Sequence, residues 1–243
     1  MNRRALLSVA FILGLPLAVW AKAPTAEDIL KKYDASMGPV SFESDNVMIA
    51  TRDDGTTRTY EMHMLKRDTD KFRVSFLAPA AVKGQEILRI GDNAWVYLPS
   101  LKRATRIANR ESFQGGDFNN ADILRVNYTL DYDGTLVPSD VKDTLCVKLK
   151  AKHQETAYDA ITLYVRSSDW LPVKAQYYGS SGKLIRSAEF LDIKELSRGF
   201  VRPSRIVMHN ELVPARRSEL VVKSMKLNVD VPAQRFTQTD LGK

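Results

Sequence analysis

Acid/base, metal and nucleophilic chemistry need particular side chains at particular offsets, and few stretches of this chain offer them. The three histidines, His63, His153 and His209, each stand in or beside a strand-like pattern with no second ligand at a metal-binding offset. They read as surface or rim histidines, and no metal site is expected. Asp117 and Asp122 can be weighed as a carboxylate pair for proton transfer. With Gly115-Gly116 before it and a helix start behind it, Asp117 reads instead as a turn residue. Asp122 falls in the first helical turn, where the helix dipole favours it. "YYGSSGKLI" (177–185) imitates a phosphate loop, yet Tyr177 stands where glycine is required and Leu184 where Ser or Thr follows the lysine. It also fails as a nucleophile elbow, because Lys183 occupies the last glycine position. Neither a catalytic residue nor a cofactor is expected.

The densest positive patch is Lys102, Arg103, Arg106 and Arg110, inside "WVYLPSLKRATRIANRESFQGGDF" (95–118). Docking to phospholipid headgroups or an acidic partner is one reading, and a solvated loop is the other. Nucleic acid fits poorly, because the run lacks the interleaved aromatics of a stacking platform.

The chain opens with Arg3 and Arg4, an apolar run from Ala5 to Trp20 and then small residues, the three-part pattern of a secretory signal. Pro16 and the shortness of the run argue against a permanent span, which needs about 20 apolar residues. Cleavage after Ala21 or Ala23 satisfies the small-residue rule, and Ala21 is preferred because Pro24 would obstruct the later site. Removing residues 1–21 lowers the net charge from +7 to +5, with 34 basic and 29 acidic residues left. Such a mild bias suits anionic headgroups or an acidic partner. Cys146 is the sole cysteine, so no intramolecular disulfide can form and the core alone must hold the exported chain.

Beyond the leader, residues 22–243 read as one domain, without linker or repeat. In "APTAEDILKKYDASMG" Thr25 can cap a helix with Asp28 three residues on. Ile29, Tyr33 and Met37 share one face, and Gly38-Pro39 ends it. The period then changes to two: Tyr60, Met62 and Met64; Phe72, Val74 and Phe76; Leu145, Val147 and Leu149; Ile161, Leu163 and Val165; Val173, Ala175 and Tyr177. Turn signals separate the strands at 52–56, 67–70, 91–93, 132–134, 179–183 and 213–218. Roughly ten or eleven strands joined largely by hairpins make an antiparallel meander that curls into an open or closed barrel. "NNADILRV" forms a second helix, capped by Asn119 or Asn120 with Ile123 and Leu124 inward, placed to plug or cover the barrel's mouth.

"VYLPSLKRATRIANRESFQGGDFNNADI" resembles the signature segment of the LolA-like family of outer-membrane lipoprotein-sorting proteins. "WLPVKAQYYGSSGKLIRSAEF", "RPSRIVMHN", "VVKSMKLN" and "RFTQTDL" resemble its later segments, so that the likeness covers about residues 25–241. The resemblance implies a mainly β fold: one curved antiparallel sheet as a half-open barrel, with the N-terminal and inserted helices as a lid. It further implies a periplasmic carrier of lipid or lipoprotein acyl chains in a Gram-negative bacterium. Its partners would be an inner-membrane transporter, of the resistance-nodulation-division or MMPL type in the subtype this chain resembles, and an outer-membrane acceptor. A monomer is expected. A sensing or interaction module of the same fold is the alternative.

On that implication the cavity candidates are Tyr60, Met62, Met64, Phe72, Val74, Phe76, Trp95, Tyr97, Leu163 and Val165. Methionines suit a wall that must accept flexible chains. The competing expectation is that these side chains simply fill a closed core. Ile29, Tyr33, Met37, Ile123 and Leu124 would form the lid's inner face. Arg89 and the four basic residues after Pro99 would contact headgroup or partner.

Overall fold

The computed structural model describes residues 23–243 except residue 155, so the expected leader lies outside the described residues. The first helix, α1, spans Ala26–Met37. Its start is the box that Thr25 and Asp28 specify: the Asp28 N–H donates to Thr25 Oγ1 at 3.1 Å, and the Thr25 N–H donates to Asp28 Oδ2 at 3.0 Å. Ile29, Tyr33 and Met37 are buried together, and the Gly38 N–H closes the last turn on the Asp34 carbonyl.

The strands are β1 (Phe42–Thr51), β2 (Thr57–Arg67), β3 (Lys71–Ala78), β4 (Glu86–Ile90), β5 (Asn93–Leu98), β6 (Arg103–Ile107), β7 (Tyr132–Val137), β8 (Thr144–Ala151), β9 (Ala160–Arg166), β10 (Pro172–Tyr178), β11 (Leu184–Ser197), β12 (Phe200–Asn210) and β13 (Arg217–Leu227). They form one curved, open antiparallel sheet of 13 strands in the order β6-β5-β4-β3-β2-β1-β13-β12-β11-β10-β9-β8-β7. The mainly β half-barrel is therefore present, with more strands than the ten or eleven expected.

Alternation decides which side chains meet. Tyr60, Met62 and Met64 on β2, Phe72, Val74 and Phe76 on β3, and Ile161, Leu163 and Val165 on β9 share the inner face and one core with α1. Burying side chains of this size stabilises by roughly 1.5–3 kcal/mol each.

The free edges are β6 and β7, and residues 108–131 run between them over the inner face. This connection carries two short helices, α2 (Asn120–Leu124) and α3 (Tyr128–Asp131). The Asp117 N–H donates to Ser218 Oγ on β13 at 2.9 Å, and Tyr60 Oη donates to the Gln114 carbonyl. Gly116 permits that approach, since a Cβ there would lie 2.9 Å from Ser218 Oγ. Phe113 and Phe118 on either side are buried in the core.

Two expectations need correction. The basic run is only partly a loop: Lys102 sits in a hairpin turn and Arg110 in a turn beyond β6, whereas Arg103 and Arg106 lie on edge strand β6. Cationic side chains on an edge discourage pairing with another chain. The turn expected at 132–134 is instead the first half of β7, where Gly134 serves close packing. A Cβ on Gly134 would lie 3.2 Å from both Ala26 Cβ and Leu30 Cδ1 of α1. Gly134→Leu is expected to lower stability by about 1–3 kcal/mol through overpacking beneath α1; thermal unfolding measures it.

Beyond β13 the chain returns across the outer face of β3 to β5. Leu88, Val231, Phe236 and Leu241 form a separate small cluster there, with Tyr97 and Leu65 packed against it.

Candidate functional site

Between the inner face and the three helices lies an apolar cavity of about 80 Å³. Its floor includes Phe42 of β1, Met64 of β2, Phe72 of β3, Phe190 of β11, Met208 of β12, and Leu220 and Met225 of β13. Tyr33 and Met37 of α1, Ile123 and Leu124 of α2, and Tyr128 of α3 cover it. One water needs roughly 10–15 Å³ and a ligand pocket roughly 300–1,000 Å³. The space is thus a narrow seam, and admitting a whole acyl chain requires the helices to move.

Polar ties hold the helices at their ends and to one another. Asp34 accepts from the Tyr128 and Thr129 N–H groups at 2.7 and 2.9 Å, joining α1 to α3. Tyr33 and Tyr128 stack with centroids 4.5 Å apart. Three buried cations on the sheet reach the helix ends. Lys66 Nζ donates to the Gly38 carbonyl at 2.7 Å, Arg202 Nη1 to the Met37 carbonyl at 3.1 Å and Arg89 Nη1 to the Leu124 carbonyl at 3.1 Å. Helix C-termini carry partial negative charge, which suits these donors. Burial pushes the Lys66 ammonium down to about 8, reinforced by Arg89 and opposed by Asp34. Burial likewise pushes Arg89 and Arg202 down to about 10, which leaves both charged at neutral pH.

Lys66 ties stability to pH. The unfolded side chain keeps its proton to about 10.5 and the folded one releases it near 8, so the unfolded state binds more protons between these values. Stability contributed at this site rises with pH across that window. The difference in unfolding free energy between the wild type and Lys66→Met is expected to grow by about 1–3 kcal/mol from pH 8 to 10. Urea unfolding at several pH values measures it.

The carboxylates weighed as an acid/base pair are engaged elsewhere. Asp117 accepts from Asn210 Nδ2 at 2.9 Å and Ser218 Oγ at 3.1 Å, which ties its loop to β12 and β13 as well as forming a turn. Burial raises Asp122, opposed by hydrogen bonds from the Asn119 N–H and Tyr158 Oη at 2.7 Å each. His63, His153 and His209 each face one carboxylate, at 2.9, 3.3 and 3.9 Å. Among the described residues no His, Cys, Asp and Glu cluster could hold a metal.

A LolA superfamily protein from Nitrosomonas europaea superposes with a TM-score of 0.82 at 30% identity, over 90% of this chain and 100% of that one. This chain belongs to the LolA superfamily. A putative outer membrane lipoprotein-sorting protein domain from Vibrio parahaemolyticus has the same fold, with a TM-score of 0.76 and 19% identity over 90% of this chain and 98% of that one. A DUF1329 family protein from Desulfovibrio piger shares it too, with a TM-score of 0.80 and 22% identity over 89% of this chain and 97% of that one. A family model described as "-like: Uncharacterized protein" matches residues 68–243. No curated protein matches the chain in sequence. The LolA-like fold is one of carriers and binding proteins rather than enzymes.

Within this LolA-superfamily fold the expected residues separate into groups. Met64 and Phe72 line the cavity, as do Tyr33, Met37, Ile123 and Leu124 from the lid, whereas Ile29 packs beside it. Tyr60, Met62, Val74, Phe76, Leu163 and Val165 face inward but fill the core around the seam. Trp95 and Tyr97 are on the opposite phase: Ala94 and Val96 pair with Arg89 and Ile87 of the inner face, so Trp95 and Tyr97 point outward. Arg89 is buried and holds α2, which corrects its placement as a surface contact. Arg103 and Lys102 are exposed, Arg106 bonds Asn93, and Arg110 bonds the Gln154 carbonyl at 3.1 Å and pairs with Asp159. Sequence reasoning missed Lys66 and Arg202, although each continues the inner phase, Lys66 two residues beyond Met64 and Arg202 two before Ser204.

Proposed function

We propose that this protein is a periplasmic carrier that holds acyl chains of a lipoprotein or other lipid between its sheet and lid helices. It passes them from an inner-membrane transporter, of the resistance-nodulation-division or MMPL type, to an outer-membrane acceptor. The observation that carries the reading is the methionine-rich, largely apolar seam covered by three helices. A sixteen-carbon chain in water costs about 0.8 kcal/mol per CH₂, about 12 kcal/mol in all, so transit across an aqueous gap needs an apolar enclosure. Ordering and desolvation offset much of that gain, which allows release to a tighter acceptor. No bond chemistry is required. Residues 1–21 would direct export as a cleaved leader, and residues 22–243 would form the carrier domain. Among the described residues no helix is long and apolar enough to cross a membrane.

The small volume of the seam favours a second reading, a sensing or interaction module that uses the fold without moving cargo. The two separate on one experiment. The mature protein is purified from a native periplasm without detergent, then examined by native mass spectrometry and organic extraction. A stoichiometric acylated species supports the carrier. An empty protein that also fails to bind fluorescent fatty-acid probes supports the interaction module.

A further inference from the structure

Lys66, Arg89 and Arg202 are each about 95% buried or more, and among the described residues none has a carboxylate within ion-pair distance. Their hydrogen-bond partners are main-chain carbonyls: Gly38 for Lys66, Leu124 for Arg89, and Met37 and Pro203 for Arg202. Arg89 Nε is buried with no partner at all. The acids nearby are already engaged. Asp131 is bound by Arg125, Asp122 by Asn119 and Tyr158, and Asp34 by Tyr128 and Thr129.

Two of the three cations line the seam, and Arg89 stands one strand beyond Phe72, which does. Lys66 pairs across the strands with Phe42 on one side and Phe72 on the other, and Phe72 pairs in turn with Arg89. Lys66 and Arg202 reach successive carbonyls at the end of α1, and both line the cavity. Isolated buried cations are costly, and a carbonyl compensates a cation less well than an anion does. When α1 and α2 lift to admit a chain, the Met37, Gly38 and Leu124 carbonyls leave and all three donors lose their partners.

We infer that the cavity's ligand is an anionic amphiphile whose carboxylate or phosphate group replaces the helix-end carbonyls on Lys66, Arg89 and Arg202. This inference rests on the acyl-binding reading above and names the class of headgroup. The anionic oxygens take the donors while the chain lies along Met64, Phe72, Met208, Leu220 and Met225. A neutral acyl glycerol would fill the same apolar space and leave three buried cations unmatched, so charge at the head discriminates ligands of equal chain length.

The test is calorimetric titration of delipidated protein with three ligands of one chain length: palmitate, 1-palmitoyl lysophosphatidate and the neutral 1-palmitoylglycerol. At least one anionic ligand is expected to bind about tenfold or more tighter than the neutral one, a difference of about 1.4 kcal/mol. The stronger of the two identifies the head as carboxylate or phosphate. In the Lys66→Met/Arg202→Met variant the ratio of anionic to neutral affinity is expected to fall at least about threefold toward one, and the ratio, not the absolute affinity, is read because both residues also tie the helix ends. Should that variant not fold, Lys66→Gln alone is expected to reduce the preference, and the wild-type ratio decides by itself. Equal affinities of all three ligands for the wild type overturn the anionic-head inference and leave the carrier reading standing. Binding of none overturns both.

Discussion

Arg73→Ala is expected to lower the unfolding free energy by about 3 kcal/mol, the low end of the range for removing one member of a buried ion pair. Arg73 is fully buried on the outer face of β3. Its guanidinium makes a two-oxygen contact with Glu86 of β4, at 2.8 and 2.7 Å, and pairs with Asp240 of the tail at 2.6 Å. It also donates to the Arg235 and Asp240 carbonyls. Alanine would leave two carboxylates buried without their cation. The loss stays at the low end because Ser75 Oγ and the Gly242 N–H still reach Glu86, and Arg235 still reaches Asp240. Arg73 holds the Asp240 carboxyl below its usual range, so the stability gained there is present above that range and fades as pH falls through the depressed value. Urea unfolding at pH 7 measures the main effect. A midpoint unchanged from wild type would show that the tail adds nothing to the fold.

The same tail explains where sequence reasoning lost the inner face. Hydrophobic alternation assigns residues to two phases but does not say which phase faces the core. On β2 and β3 the other phase is polar or exposed enough for the choice to be clear. β4 is buried on both faces from Glu86 to Arg89, since the core covers one side and residues 231–241 cover the other. Tyr97 belongs to that second covered surface, and Trp95 shares its phase as the cross-strand neighbour of Leu88. A Cβ on Gly242 would stand 2.3 Å from the Tyr97 ring, which shows how closely the tail lies on it. The large apolar residues of β5 therefore point to an outer cluster that no local pattern announces.

Local signals fared better where one short segment sets its own geometry. Thr25 with Asp28, and an asparagine at 119 or 120, marked two lid helices because capping is settled within four residues, and the structure takes Asn119 with Asp122 as the second cap. The third helix, α3, has no such signal and depends on Asp34 from α1 for its N–H partners. The cations were hidden by their type: a lysine or arginine in an apolar phase reads as a surface residue until the helix ends that need it are seen. Cavity and core share one alternation, so Phe72 and Phe76 differ only in what the three-dimensional curve places above them.

That difference makes the last prediction. Leu220→Asp is expected to weaken binding of a fatty-acid probe about 100-fold or more, because an ionised carboxylate in an apolar wall costs several kcal/mol and each 1.4 kcal/mol is a factor of ten. Leu220 lines the seam from β13, between Met48 of β1 and Ile206 of β12. Phe72 is a poorer position for the charge, since an aspartate there would lie in register between Lys66 and Arg89 and be neutralised by them. Leu220→Trp serves where the aspartate variant does not fold, as its bulk occupies the chain's path without adding charge. Leu163 supplies the contrast, being wholly buried on the inner face but away from the seam. Leu163→Ala is expected to cost about 2–5 kcal/mol of stability while probe affinity at a temperature well below its melting point changes by less than about threefold. Probe titration and thermal unfolding of the three variants separate the roles. If Leu163→Ala lost binding as fully as Leu220→Asp while remaining folded, the seam would not be the ligand's path, and the inner face would act as one undivided core.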